Sequence, residues 1–250
     1  MVNALILAGE DHNSHFGTRV KGIVDINGKP MIQYIISVMK NCKMIDRIGV
    51  VGPYEVLYPL LGEMVDEVID GRGSIIENVM QGAKHLGLNR NILICTSDVP
   101  MLTVESLEDF LIRCEHTKAD FCYPIIEKSL NEAMFPGIER TYTRMKEGTF
   151  TGGNLFYVNP KVLNKCCDQA QKLIAYRKNV FKMARVLGWE ILVLLLTRRL
   201  TIMHAEKRFS QIFGIEAKAI ISNYPELAND VDKMSHLLYA RQYLKNKQIS

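Results

Sequence analysis

Several signatures of common functional classes are missing from these 250 residues. Lys and Arg form no stripe, the net charge of +4 is dispersed, and neither a zinc-finger nor an RNA-binding pattern occurs, so nucleic acid is not an expected partner. The six cysteines (Cys42, Cys95, Cys114, Cys122, Cys166 and Cys167) include no CxxC pair and no His spacing that would build a zinc site. Four of them lie in apolar segments that read as strand or helix, which predicts buried free thiols. The N-terminus runs directly into a strand pattern with no basic region and cleavage site, and free thiols suit a reducing compartment; a cytoplasmic location is expected. The longest apolar run, residues 191–196 within 187–203, is interrupted or bounded by Glu190, Arg198 and Arg199. About twenty apolar residues are needed to span a bilayer, so no transmembrane segment is expected. That stretch reads instead as a buried helix, or as an interfacial or homodimer-forming one. The six histidines show no metal-like grouping.

What is present fits one α/β domain, or one domain carrying an insertion: 48% of residues are hydrophobic and 23% charged, enough to bury a full core. Strand patterns at residues 4–7, 47–51, 65–69 and 91–96 alternate with helical ones. In the helical patterns Ile32, Ile35, Ile36 and Met39 share one face, Ile75, Val79, Ala83 and Leu86 a second, and Leu107, Phe110, Leu111 and Cys114 a third. NILICT, residues 91–96, is an uninterrupted apolar run of the kind found in the centre of a parallel sheet. Such alternation predicts a doubly wound, mainly parallel sheet with helices on both faces. A β pattern at 150–158, a helical segment over 161–213, a short strand at 218–222 and a closing helix over 233–244 complete the chain. The 161–213 segment reads as a helical insertion within a single domain spanning 1–250.

Ligands of such sheets bind beyond the carboxyl ends of the strands. The first of these ends begins LILAGEDHNSHFGTRVKGIVDINGKP, residues 5–30. An apolar run closing on Leu7-Ala8-Gly9 is suited to feed a phosphate-holding loop, and Arg19 and Lys21 can neutralise phosphate charge, although Arg19 equally suits a solvated loop edge. From Lys21 onward, Gly22, the apolar Ile23-Val24, Ile26 and then Asn27-Gly28-Lys29-Pro30-Met31 follow a specific order. In that order the chain resembles the nucleotidyltransferases of the molybdenum-cofactor guanylyltransferase type, and more broadly the sugar-phosphate nucleotidyltransferases.

The resemblance implies a nucleotide-diphospho-sugar transferase type of fold and assigns roles. Lys21 and Arg19 are its catalytic candidates, and Leu7, Ala8, Gly9 and Ser97 its nucleotide-binding ones. Asp98, in Ser97-Asp98-Val99-Pro100, matches an aspartate that holds Mg²⁺ after the central strand. Mg²⁺ takes one or two protein carboxylates and completes its octahedron with phosphate and water oxygens. Asp230 or Asp232, before the last helix, is the second metal candidate, although Asp232 also suits an N-cap. Gly71 and Gly73 occupy the place of a base-reading loop, or simply a strand-to-helix connection capped by Ser74. Gly152, Gly153 and Asn154 occupy the place of an acceptor-seating loop, or a tight turn.

The expected activity is Mg²⁺-dependent transfer of an NMP from an NTP to a small phosphorylated acceptor, with release of pyrophosphate. The pattern fails at residues 10–16, where Glu10 and Asp11 replace glycine and would repel a triphosphate unless a cation intervenes or the loop turns them outward. That acidic loop keeps two alternatives open: a nucleotide-sugar glycosyltransferase, although an Asp-x-Asp pair is missing after the central strand, and a non-catalytic nucleotide-binding protein.

Overall fold

The structure is a computed structural model that describes residues 1–12, 14–176 and 180–247. Its first strand, β1 (Val2–Leu7), carries Val2, Ala4, Leu5 and Ile6 at no more than 1% exposure, which is why an unbroken apolar sequence forms it. After the loop comes a hairpin of β2 (Asp25–Ile26) and β3 (Lys29–Pro30). Its two-residue turn has Asn27 at φ 54° and Gly28 at φ 84°, the left-handed geometry that Asn-Gly supplies at least cost. Pro30 then serves as N-cap of α1 (Met31–Asn41), one position earlier than the first helical turn.

Strand β4 (Ile45–Gly52) leads into α2 (Tyr54–Leu61), a short helix that the spacing of apolar residues does not announce. Then follow β5 (Glu67–Asp70), α3 (Ile75–Leu86), β6 (Ile92–Thr96) and α4 (Val104–Thr117). Reciprocal side-chain and backbone bonds cap α3 through Ser74 and Glu77, and α4 through Thr103 and Ser106. The expected inward residues of these helices are buried, except Ile75. It stands 44% exposed although it shares their face, because it lies in the first turn of α3, where it lines the cleft beside Gly9.

Strands β5, β4, β1 and β6 lie side by side and parallel. The second half brings β7 (Phe121–Glu127), α5 (Lys128–Met134), β8 (Thr143–Arg144), β9 (Thr149–Gly152) and β10 (Leu155–Val158). The apolar pattern at 150–158 is therefore two strands, because Gly153 N–H donates to Pro124 O at 2.9 Å and Asn154 N–H to Leu227 O at 2.9 Å, bending the chain between them. Strand β10 pairs antiparallel with both β6 and β7, joining the two halves into one nine-stranded sheet.

Helices α6 (Leu163–Tyr176), α7 (Val180–Leu187), α8 (Trp189–Leu196) and α9 (Ile202–Phe213) follow; residues 177–179 of the expected helical segment lie outside the described residues. No side chain of α8 is buried, and Trp189, Val193 and Leu196 are 55%, 56% and 73% exposed, so the buried-helix reading fails within the chain. Strand β11 (Ala217–Ser222) pairs in parallel with β7. Its other edge is covered by α9, whose Glu206 accepts from Ala219 N–H at 2.9 Å and whose Ser210 accepts from Ala217 N–H at 3.0 Å. Helix α10 (Met234–Lys247) closes the chain. Among the described residues all six cysteines are free, four of them buried, and no helix is long and apolar enough to cross a membrane.

Candidate active site

The carboxyl ends of the parallel strands meet at one edge of the sheet. Ala8 N–H donates to Val51 O at 2.9 Å and Ser97 N–H to Leu7 O at 3.1 Å, so the segments leaving β1, β4 and β6 start together. Ala8 is fully buried and Gly9 exposed. A Cβ on Gly9 would meet nothing closer than Asn78 Nδ2 at 3.8 Å, which leaves its backbone open to a ligand. Beside it a cleft of about 370 Å³ is lined by Gly9, Glu10, His12, Gly71, Gly73 and Asn78 among others. Asn78 Oδ1 accepts from Gly73 N–H at 3.2 Å, tying the second loop to α3. Gly71 is required there, because a Cβ would come within 2.4 Å of Val51 Cγ2. Two separated sequence candidates for nucleotide contact thus line one cleft.

The acidic loop turns back on itself, with Asp11 N–H donating to Arg19 O at 2.7 Å and Phe16 packing beside α10 in the third apolar cluster. Asn13 lies outside the described residues. Arg19 is exposed. Lys21, one turn further in a 3₁₀ segment, is only 17% exposed and faces three carboxylates: Asp98 Oδ2 at 3.5 Å, Asp11 Oδ2 at 3.7 Å and Asp232 Oδ1 in direct contact. Burial works against its charge, but Asp232, Asp98 and Asp11 together hold the ammonium above the ordinary lysine value. One loop carboxylate therefore already has its cation, while Glu10 lines the cleft and His15 is exposed.

Asp98 follows β6, and burial raises its carboxyl above the usual range while the Lys21 charge opposes that rise. Asp230 and Asp232 arrive from the turn before α10, held in place by Val231 N–H donating to Asp98 O at 2.8 Å. One oxygen from each of Asp98, Asp230 and Asp232 lies within 4.8 Å of the others. The buried Asp98 Oδ1 has no hydrogen-bond partner among the described residues. Clustered carboxylate oxygens with one left unsatisfied fit a hard divalent cation such as Mg²⁺. Both Asp230 and Asp232 belong to the cluster, so the sequence alternatives are neighbours rather than rivals.

Other side chains here have no sequence signal. Arg140, between α5 and β8, pairs with Asp230 and donates to Gly152 O at 3.4 Å. Its guanidinium is pulled down from its ordinary value by burial, against the opposing charges of Asp232, Tyr123 and Asp98. His236, 4% exposed on α10, meets Asp230 O at 3.2 Å, and burial lowers its pKa. Of the glycine loop, Gly153 and Asn154 serve the fold. A Cβ on Gly153 would fall 2.7 Å from Pro124 Cγ and 2.8 Å from Leu227 O, and Asn154 Nδ2 donates to Ala228 O at 3.4 Å. Gly152 alone of the three touches the charged cluster, through its carbonyl.

Comparison with known proteins follows the same lines. Residues 4–188 match the family model of the MobA-like NTP transferase domain. No curated protein matches the sequence. A hypothetical transferase structure from Thermus thermophilus is 33% identical, with a TM-score of 0.85, over 94% of this chain and 99% of that one. At 14% identity and a TM-score of 0.66, CMP:2-keto-3-deoxy-manno-octonic acid synthetase complexed with CTP matches over 99% of this chain and 100% of its own. The 4-diphosphocytidyl-2C-methyl-D-erythritol synthase of Anaerococcus prevotii, 11% identical with a TM-score of 0.59, covers 98% and 96%. These last two show the fold. The family match sets aside the glycosyltransferase and non-catalytic readings: the chain belongs to the MobA-like NTP transferase family and is an enzyme of nucleotidyl transfer.

Proposed function

We propose that the enzyme transfers an NMP from an NTP to a small phosphorylated acceptor, releasing pyrophosphate, with Mg²⁺ held by Asp98 and a second carboxylate of the cluster, Asp230 or Asp232. The observation that carries this reading is the convergence of Lys21 with three aspartates at the carboxyl edge of β1 and β6, one aspartate oxygen being buried without a partner.

The nucleotide lies in the cleft between Gly9 and the Gly71–Gly73 loop, its phosphates on the backbone amides after Leu7, Ala8 and Gly9, near Ser97. Lys21 balances charge that moves onto the pyrophosphate, and Arg19, at the mouth of the loop, reaches the outer phosphates. When bound, Mg²⁺ supplies charge neutralisation of phosphate oxygens at the aspartate cluster. Arg140 and the Gly152 end of the 152–154 loop orient the acceptor phosphate. An acceptor phosphate oxygen then attacks the α-phosphorus in line; the bond from that phosphorus to the pyrophosphate oxygen breaks, and its electron pair leaves with pyrophosphate. Positioning and fixed charge supply most of the rate in such a transfer. The helical segment 161–213 is an insertion within this single domain.

Thermal unfolding with each of the four NTPs, with and without Mg²⁺, tests the reading. A ligand at a hundred times its dissociation constant adds about 2.7 kcal/mol of stability. Stabilisation by an NTP only in the presence of Mg²⁺ is expected; none by any NTP overturns the assignment.

A further inference from the structure

A second cavity, of about 430 Å³, has Gly152 in its lining. Its floor is the face of β7 and its neighbours that carries Phe121, Tyr123 and Phe156, and its roof is α9 with Ile202, Ala205 and Phe209. Ring contacts hold the walls: Phe121 stacks on Phe209 at 5.1 Å and Tyr123 on Phe156 at 5.3 Å between centroids. The charged groups on its lining, Glu206 and Lys218, already satisfy one another at 3.1 Å, with Glu206 also bound to Ala219 N–H. Within the walls, therefore, little asks for a polar ligand.

The end at Gly152 is different. The Tyr123 hydroxyl lies so close that a Cβ on Gly152 would come within 2.0 Å of it, and Arg140 reaches the Gly152 carbonyl at 3.4 Å. Arg140 keeps a buried Nε without a partner. The cavity thus has apolar walls and includes Gly152, whose carbonyl accepts from Arg140, the cation paired with Asp230 of the aspartate cluster. Its size falls within the range of small-molecule sites.

Resting on the nucleotidyltransferase reading, we infer that the acceptor is an organic phosphate with a hydrocarbon or aromatic body, which fills the cavity under α9 while its phosphate meets Arg140 beside Gly152. In that pose a phosphate oxygen of the acceptor forms the new bond to the α-phosphorus, pyrophosphate departs with the electron pair, and the product is a nucleoside diphosphate ester of the apolar group. Nothing beyond NTP and acceptor is consumed.

The test is binding of a series of n-alkyl phosphates, methyl to dodecyl, by calorimetry, with Mg²⁺ and non-hydrolysable NTP analogues present and absent. Affinity should rise about fourfold per methylene. Ala205→Phe and Ala219→Phe, which fill the cavity from opposite walls, should abolish that rise while leaving stabilisation by NTP unchanged. A plateau at short chains identifies a small soluble phosphate; a rise continuing to dodecyl identifies a lipid phosphate. Affinity independent of chain length, or an equal rise in both filled variants, overturns the inference. NTP stabilisation with no chain-length effect would sink the apolar acceptor alone, whereas a chain-length effect without NTP stabilisation would sink the nucleotide reading alone.

Discussion

Arg140 and Asp230, 90 positions apart in the chain, form an ion pair in which the side chains are only 15% and 12% exposed. Removing one partner of a shielded pair leaves the other charge uncompensated, at a cost of about 3–5 kcal/mol. Arg140→Ala should therefore lower the melting temperature substantially. Asp230 also belongs to the aspartate cluster, so a divalent cation can take the place of the lost guanidinium. Mg²⁺ alone should raise the melting temperature of Arg140→Ala more than that of the wild type. Equal responses in the two proteins would remove Asp230 from the metal site.

Asp98 decides whether that cluster binds metal with nucleotide. Its Oδ1 is buried without a partner while Oδ2 faces Lys21 at 3.5 Å. Asp98→Asn keeps the size and relieves the burial of charge, so the substrate-free protein should melt no lower than the wild type. Its Mg²⁺-dependent stabilisation by NTP should disappear. A Mg²⁺ titration with nucleotide that coincides with the wild-type curve would contradict the assignment.

These two side chains also mark where the sequence is legible. Asp98 follows NILICT, the most strongly patterned strand, and parallel-sheet geometry alone sends such a residue to the ligand edge. Lys21 and the GKP turn are legible for a related reason: local backbone demands, such as the Asn27-Gly28 left-handed turn, restrict the residue types allowed. Arg140 belongs to no element and repeats no spacing; only the antiparallel return of β9 along β7 brings it to Asp230. Gly153 and Asn154 show the converse, since the sequence cannot distinguish a glycine cleared for a ligand from one cleared for Leu227 O. Asp11 reads as repulsive to phosphate until the loop closure on Arg19 O places it beside Lys21. Helix α8 reads as core because apolar content says nothing of which neighbour exists.

That helix yields a separate prediction. Leu196 is 73% exposed, and no α8 side chain is buried in the chain. Leu196→Asp should thus change the unfolding free energy of the isolated chain by no more than about 0.5 kcal/mol. If two copies associate through residues 187–203, the same substitution lowers the solution mass seen by light scattering without unfolding the protein. Loss of folded structure at every concentration would show instead that α8 packs against its own chain.

Glu226 supplies a test by pH away from the aspartate cluster. Its residue is 5% exposed, Oε2 has no hydrogen-bond partner among the described residues, and burial raises its carboxyl above the ordinary value of 4.5, with the charge of Glu105 adding to the rise. A carboxyl raised on folding binds its proton more tightly in the folded state. Its favourable contribution is complete below 4.5 and is lost as pH rises through the folded value. Each pKa unit corresponds to about 1.4 kcal/mol. Glu226→Gln keeps the shape and cannot ionise, so its stability should match the wild type in acid and exceed it increasingly toward neutral pH, levelling off once the folded carboxyl has ionised. Urea unfolding of both proteins across that window checks the sign. A stability difference that stays constant with pH, or that favours the wild type at neutral pH, would mean that Glu226 is ionised and satisfied in the folded protein.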